Sequence, residues 1–134
     1  MNPMVLRRRV LTVNALSTAA VAAAFVAAGP PLGRLFGLAP AVLWVIAAVL
    51  LVFALHLRHV ARKPVISRHE ALYFAVCDAA WVVGSAVVLL GWPHLLSGPG
   101  RLFFALIADV VAVFCVLEFV AWRRLGALEP QPAH

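Results

Sequence analysis

Residues 40–57 read PAVLWVIAAVLLVFALHL, a stretch that contains no aspartate, glutamate, lysine or arginine. An α-helix rises about 1.5 Å per residue, so about 20 residues of this kind cross the roughly 30 Å of hydrocarbon in a bilayer. Because an exposed backbone amide has no partner in lipid, such a stretch must be helical rather than an open strand. Residues 40–57 therefore predict a transmembrane helix.

Three further stretches have a similar length and composition. Together with the first they make four predicted spans, at about residues 10–28, 40–57, 71–91 and 102–122. We therefore predict an all-α, four-helix transmembrane bundle that forms a single membrane domain over residues 1–125. The polar, proline-rich residues 126–134 predict a disordered tail.

The composition of the 134 residues agrees with this prediction. Hydrophobic residues make up 65% of the chain and charged residues 12%, against about 45–50% and about 25% in soluble domains. The mean hydropathy is +1.03. These values disfavour a water-soluble enzyme, a disordered chain and a free-standing nucleic-acid-binding module. We expect a lipid bilayer rather than nucleic acid as the partner, although the net charge is +6.

The sequence also marks some helix ends. Gly29-Pro30-Pro31 is expected to end the first span, because proline lacks an amide hydrogen and restricts the residue before it. Ser67 and Glu70 have the spacing of a capping box, in which each side chain bonds the backbone N–H of the other residue. The third helix is therefore predicted to begin near Ser67.

Most of the positive charge lies on one side of the predicted bundle. Nine lysine and arginine residues flank the N-terminus, the loop between the second and third spans and the end of the fourth, whereas Arg34 and Arg101 lie on the other side. The positive-inside rule then predicts that both termini are cytoplasmic. The side chains expected to contact anionic lipid head groups are Arg7, Arg8, Arg9, Arg62 and Lys63.

Five polar residues are predicted to lie in one layer, a quarter to a third of the way across the membrane. Helical rise places Asp78 about 12 Å and Glu118 about 8 Å from the cytoplasmic side. A carboxylate at such a depth costs about 2.5–3.5 kcal/mol and usually faces protein or water. The predicted intramembrane polar cluster consists of Asn14, Ser17, His56, Asp78 and Glu118.

Two other residues are predicted to face a partner, with water as the alternative for Asp109, which lies shallow on the external side near Arg101. Asp109 is nine residues from Glu118, which is about half a turn around the helix, so the two carboxyl groups cannot face the same neighbour. Trp81 lies in the middle of its span. Its indole N–H needs an acceptor in the core, or it faces a partner or a bound pigment.

Small residues predict one helix–helix contact. Ala15, Ala19, Ala23 and Ala27 follow a four-residue spacing along the first span, and Ala80 and Gly84 offer a small patch on the third. Because small faces let helix backbones approach closely in lipid, we expect the first and third spans to pack against each other.

Three interpretations of the polar cluster stay open. The carboxyl groups could fix how the helices pack, they could carry a proton or cation in a transporter, or a histidine or thiol could ligate a metal, haem or chlorophyll. The chain contains no phosphate-binding glycine loop, nucleophile elbow or His-Glu-x-x-His pattern, so we do not expect an enzyme. No metal or cofactor is predicted, and haem or chlorophyll is kept only as an alternative.

The expected function is accordingly that of a non-catalytic accessory or assembly subunit, which packs within a larger membrane complex or a homo-oligomer. A small proton- or ion-coupled transporter or channel that uses an intramembrane carboxylate is the first alternative. A pigment- or haem-associated membrane subunit is the second.

Three segments carry a family resemblance: residues 35–40 (LFGLAP), residues 78–85 (DAAWVVGS), and Glu118 ahead of Arg123 and Arg124. On these segments the chain resembles small four-span integral membrane proteins of bacteria with GC-rich genomes. The resemblance implies a protein of the bacterial inner membrane with cytoplasmic termini. That family has no established activity, so it assigns no catalytic or binding residue.

Overall fold

The computed structural model describes residues 2–127, and all of the regular secondary structure within that range is helical. Four of its helices are long and apolar enough to cross a membrane, as the sequence predicts. The α-helices are α1 (Pro3–Ala27), α2 (Gly29–Phe36), α3 (Pro40–Ala61), α4 (Arg68–Gly91) and α5 (Gly98–Gly126), with a short 3₁₀ helix at Pro93–Leu95. The tail predicted at residues 126–134 begins too early, because Gly126 is the last residue of α5; residues 128–134 lie outside the described residues.

Polar side chains cap the N-terminal ends of three of the long helices, α1, α4 and α5. α1 begins at Pro3, where the Asn2 side chain accepts a hydrogen bond from the backbone N–H of Met4. At α4 the Ser67 and Glu70 side chains both make the reciprocal bonds of a capping box. The predicted start of this helix is therefore confirmed.

The first span ends before Gly29-Pro30-Pro31 as predicted, and residues 29–36 then form a short helix, α2, which the sequence pattern did not predict. Pro30 and Pro31 lie in the first turn of α2, where a backbone N–H would have no helical acceptor in any case. The helix ends at Gly37, whose φ of 75° lies in the left-handed region that favours glycine. The helical structure is therefore interrupted only at Ala28, between the end of α1 at Ala27 and the start of α2 at Gly29.

The helices pack as two pairs, α1 with α3 and α4 with α5, and α1 joins the pairs by packing against α5. The expected close packing of the first and third spans through small residues is wrong, because α1 and α4 are not among the closely packed pairs. The two helices meet through a polar contact, which is described below. Ala23 and Ala27 of α1, and Ala80 and Gly84 of α4, are exposed. The larger side chains of α1, such as Leu11 and Phe25, carry its buried face instead.

At the end of the bundle that holds α2, four aromatic rings tie three helices together. Phe25 of α1, Phe36 of α2, and Phe103 and Phe104 of α5 have ring centroids 4.7–6.5 Å apart. The Ser97 side chain caps α5 and also donates a 2.6 Å hydrogen bond to the Leu35 carbonyl. Aromatic packing and capping thus anchor the short helix to the bundle.

At the opposite end, basic side chains hold the loop between α3 and α4. Arg7 donates to the Ile66 carbonyl, and Arg8 donates to the Lys63 carbonyl at 2.9 Å. Lys63 forms an ion pair with Glu70. On the neighbouring pair of helices, the Arg68 guanidinium lies 4.7 Å from the centre of the Trp122 ring, a cation–π distance.

Arg7 is a correction to the expectation that it contacts lipid head groups, because only 1% of the residue is exposed. Its position one turn before Leu11 places it on the buried stripe of α1, where it bonds the loop backbone. Arg8, Arg9 and Arg62 are exposed, and Lys63 is half-buried. Whether those four contact lipid stays a prediction.

We expect Gly100→Ala to destabilise the protein by about 1–3 kcal/mol, the usual cost of overpacking. A Cβ added at Gly100 would lie 2.6 Å from the Phe36 carbonyl oxygen, which is backbone and cannot move aside easily. Gly98→Ala is the matched control, since nothing lies within 4 Å of a Cβ two residues away in the same turn. Thermal unfolding in detergent measures both, and equal midpoints would contradict the prediction.

Candidate functional site

Three polar side chains from three helices meet inside the bundle. The Asn14 amide of α1 donates from Nδ2 to Asp78 Oδ2 of α4 at 2.9 Å and to Glu118 Oε1 of α5 at 3.2 Å. Thr18 donates from Oγ1 to Asn14 Oδ1 at 3.2 Å. Asn14, Asp78 and Glu118 are each only 2–3% exposed. We call Asn14, Asp78 and Glu118 the polar triad.

Helical phase explains why these side chains point inward. Asn14 shares the buried stripe of α1 with Leu11, and Asp78 lies one turn after Phe74 on α4. Glu118 lies one turn after Phe114 on α5. Residues three and four apart share a helix face, so burying the apolar neighbours also buries the polar group. The triad is thus part of the stripe that packs the bundle.

The amide is the central member of the triad because it has two N–H groups and supplies a donor to each carboxyl group. Removing it would leave two acidic side chains facing each other in apolar surroundings, where unpaired polar groups and like charges are costly. The Glu118 and Asp78 carboxyl groups also lie within hydrogen-bond reach of each other. Two carboxyl groups at this distance form a hydrogen bond when one of them holds a proton, so the triad supplies partners for its own polar atoms.

A cleft between α3 and α4 borders the triad. Its triad chamber has a volume of about 370 Å³ and is lined by side chains of all four long helices, including Ser17, Thr18 and Asp78. Its loop chamber has a volume of about 500 Å³ and extends toward Leu95 and Leu96, at the end of the bundle that carries α2. Ala80 and Trp81 line both chambers. We call the two together the α3/α4 cleft.

The cleft exists because α3 and α4 are not a closely packed pair. Aromatic side chains bridge them near the loop that joins them, where the Phe53 and Phe74 ring centroids lie 5.8 Å apart. The His56 ring also contacts Phe74, at 5.3 Å between centroids. In the predicted topology these aromatic contacts lie near the cytoplasmic end of the bundle, and the loop chamber lies nearer the opposite end.

The structure places the remaining predicted cluster residues apart from the triad. Ser17 is half-buried, lines the triad chamber, and donates to the backbone oxygens of Val13 and Asn14 on its own helix. His56 is exposed and packs against the rings of Tyr73 and Phe74. Including His56 in the cluster is therefore a correction: its helical phase turns it away from the buried face of α3.

The two residues predicted to face a partner occupy different surroundings. Asp109 is exposed, on the side of α5 that points away from the bundle. Trp81 is half-buried in the wall of the cleft, and its Nε1 atom is buried without a hydrogen-bond partner among the described residues. Sequence reasoning missed Thr18, although its position one turn after Asn14 is the available signal.

The part of the chain that the structure describes contains no candidate metal-binding site made of several ligands. Within residues 2–127, no group of three or more histidine, cysteine, aspartate or glutamate side chains is arranged to hold a metal ion. Both cysteines are free and half-buried, and the Cys115 thiol donates to the Ala75 carbonyl at 3.3 Å.

Comparisons with known proteins do not place the chain in a family. No protein-family model, no curated protein and no solved structure matches it. The resemblance to small four-span bacterial membrane proteins therefore stays a prediction.

We expect Asn14→Leu to destabilise the protein by at least about 2 kcal/mol, because it leaves two buried acceptors without their donor. Replacing the whole triad, as Asn14→Leu with Asp78→Leu and Glu118→Met, should restore most of that loss, since apolar packing can replace a buried polar group. Ser17→Ala is the control. Its hydroxyl bonds only its own helix backbone, so we expect a change within about 0.5 kcal/mol.

Thermal unfolding of the purified variants in detergent measures these effects. If Asn14→Leu is as stable as the wild type, the triad does not hold the bundle together. A triple variant no more stable than Asn14→Leu would show that the polar groups do more than satisfy one another.

Proposed function

We propose that this protein is a non-catalytic, multi-pass subunit of a bacterial cytoplasmic membrane, with both termini in the cytoplasm, that assembles with another membrane protein or with copies of itself. Its four long apolar helices are compatible with membrane insertion. The observation that carries the assembly role is the position of Asp109.

Asp109 lies within the apolar length of α5, eleven residues after the helix begins at Gly98 and so about 16 Å along its axis. It is exposed, and residues 2–127 provide it with no hydrogen bond or ion pair. Carboxylates inside a membrane almost always face protein or a water-filled cavity and pair with other groups. A partner helix would supply the protein contact and the hydrogen-bond partner that residues 2–127 do not give Asp109.

The residues around Asp109 have the pattern of a helix–helix contact. With Asp109 they form a stripe in which spacings of four and three residues alternate, and all of its members are exposed: Leu102, Leu106, Asp109, Val113 and Val116. Alternation of this kind keeps one seam facing a second helix, and a single polar residue within the seam sets its register. We call these five residues the α5 stripe.

A second candidate function, a small proton- or ion-coupled transporter, is favoured by one observation. Asp78 lines the triad chamber, and a second buried carboxyl group, that of Glu118, lies within hydrogen-bond reach of it. The two candidate functions predict different results for the variant in which all three triad residues are replaced. A transporter would keep its fold but lose ion flux in liposomes, whereas an assembly subunit would still join its complex.

We expect Asp109→Leu to weaken assembly by about five- to thirtyfold, because an interhelical hydrogen bond in a membrane contributes about 1–2 kcal/mol in model peptides. Asp109→Asn should retain most of the affinity, since the amide still forms hydrogen bonds. Val45→Leu, at an exposed position of α3, is the apolar control. Mass in mild detergent and recovery of partners from native membranes provide the measurement.

Cysteine cross-linking tests the same surface directly. In a background without Cys77 and Cys115, Val113→Cys should cross-link to a second copy or to another membrane protein, and Val45→Cys should not. A lone monomer for the wild type, with no cross-link at either position, would exclude assembly through α5.

The proposed topology is tested by labelling. Val65→Cys, at an exposed position in the loop before α4, should react with a membrane-impermeant maleimide only from the cytoplasmic side. His94→Cys, at an exposed position between α4 and α5, should react only from the opposite side. Intact cells and inverted membrane vesicles compare the two sides, and the reverse pattern would invert the proposed orientation.

A further inference from the structure

Helix α5 has more free surface than α1, α3 or α4. Only 6% of its most apolar section is buried against the rest of the chain, compared with 17–33% for the other three long helices. The α5 stripe lies on this free surface and extends from Leu102 to Val116, a rise of about 21 Å. Since the hydrocarbon layer is roughly 30 Å thick, the stripe is long enough to contact one other helix across most of the membrane.

Asp109 differs from the other acidic residues of the described chain. Asp78 and Glu118 are buried in the polar triad, and Glu70 forms an ion pair with Lys63. Among residues 2–127, Asp109 is the one exposed carboxyl group without a hydrogen bond or an ion pair. The other members of the α5 stripe are leucine and valine. The stripe therefore needs a polar partner at the depth of Asp109 and apolar partners elsewhere.

A second copy of this chain offers the same pattern. Because the basic residues are concentrated on one side of the bundle, every copy is expected to insert with the same orientation, and the α5 helices of two copies run parallel. When two parallel helices meet about a twofold axis along the membrane normal, each residue at the contact faces its own equivalent. Leucine and valine then pack on leucine and valine, and Asp109 faces Asp109 of the second copy.

Two carboxyl groups can satisfy each other at such an axis. A carboxyl group that holds a proton has one O–H donor and also accepts hydrogen bonds, so the side chain is complementary to its own copy. A polar group that faces lipid alone has no hydrogen-bond partner, which is costly. The contact therefore turns two unpartnered groups into one hydrogen-bonded pair.

We propose that the α5 stripe is the interface of a symmetric, parallel homodimer in which Asp109 of one copy forms a hydrogen bond with Asp109 of the other. This inference rests on the proposed assembly role, and it names the partner as a second copy of this chain. Leu106 and Val113 pack on either side of the Asp109 pair. A single polar residue within an apolar seam sets the register of the two helices.

Disulfide cross-linking in native membranes tests the symmetry. In a background without Cys77 and Cys115, Val113→Cys should cross-link to its own equivalent on oxidation with copper phenanthroline, giving a species of twice the chain mass. Val110→Cys is the matched control, because Val110 is also an exposed valine of α5 but lies about 100° around the helix from Asp109. An equal yield at both positions, or a cross-link at Val110 alone, would overturn the proposed interface.

A charge exchange distinguishes a second copy from a different protein. Two ammonium groups would face each other in Asp109→Lys, so we expect this variant to associate with itself at least about tenfold more weakly than the wild type does. Mixed with the wild type it should pair, because its lysine then faces Asp109 at the same depth. Differently tagged copies, expressed together and purified through one tag in mild detergent, provide the measurement.

The control for the charge exchange moves the lysine off the stripe. Asp109→Leu combined with Val45→Lys carries the same lysine at an exposed position of α3 and should not capture the wild-type chain. Equal capture by this double variant and by Asp109→Lys would overturn the Asp109 pair. The cross-linking experiment contains no lysine variant, so it tests the interface even if Asp109→Lys fails to fold.

The outcomes separate the homodimer from the assembly role. If Val113→Cys does not cross-link to its equivalent while Asp109→Leu still loses a different membrane protein, the homodimer is wrong and the assembly role stands. If the chain associates with nothing, both are wrong. A disulfide between Val113→Cys of one copy and Val45→Cys of another would overturn the twofold symmetry in favour of a head-to-tail contact.

Discussion

The bundle depends on the single amide of Asn14. It donates to Asp78 of α4 and to Glu118 of α5, so one side chain of α1 links three helices inside a mostly apolar bundle. In lipid, apolar contacts gain nothing from the exclusion of water, and interhelical hydrogen bonds and close packing decide which helices associate. The triad is therefore the polar contact through which α1 meets the α4–α5 pair, alongside the aromatic contacts of Phe25 with Phe103 and Phe104.

The open side of the molecule follows from the same arrangement. α1 packs against both α3 and α5, and the triad holds α4 near α1 and α5. α3 and α4 are not a closely packed pair. The α3/α4 cleft is what remains between them. Trp81 and Asp78 then line a cavity rather than a helix interface.

The fold was largely predictable from local patterns. The apolar runs predicted all four long helices, and the spacing of Ser67 and Glu70 predicted the start of α4. The pattern of small residues misled because alanine lowers the cost of helix formation wherever it occurs, so Ala23 and Ala27 need not mark a contact. Helix α2 was missed because Pro30 and Pro31 stop one helix and also fit the first turn of the next.

For the site, the sequence by itself determined that carboxyl groups lie within apolar helices, and that Asp109 and Glu118 face opposite ways, because helical rise and phase are properties of one helix. Only the tertiary structure decided which groups meet. It joined Asn14 to two carboxyl groups, left His56 outside, and buried Arg7 against the Ile66 carbonyl. Those outcomes depend on the relative rotation and separation of different helices, which no spacing within a single helix specifies.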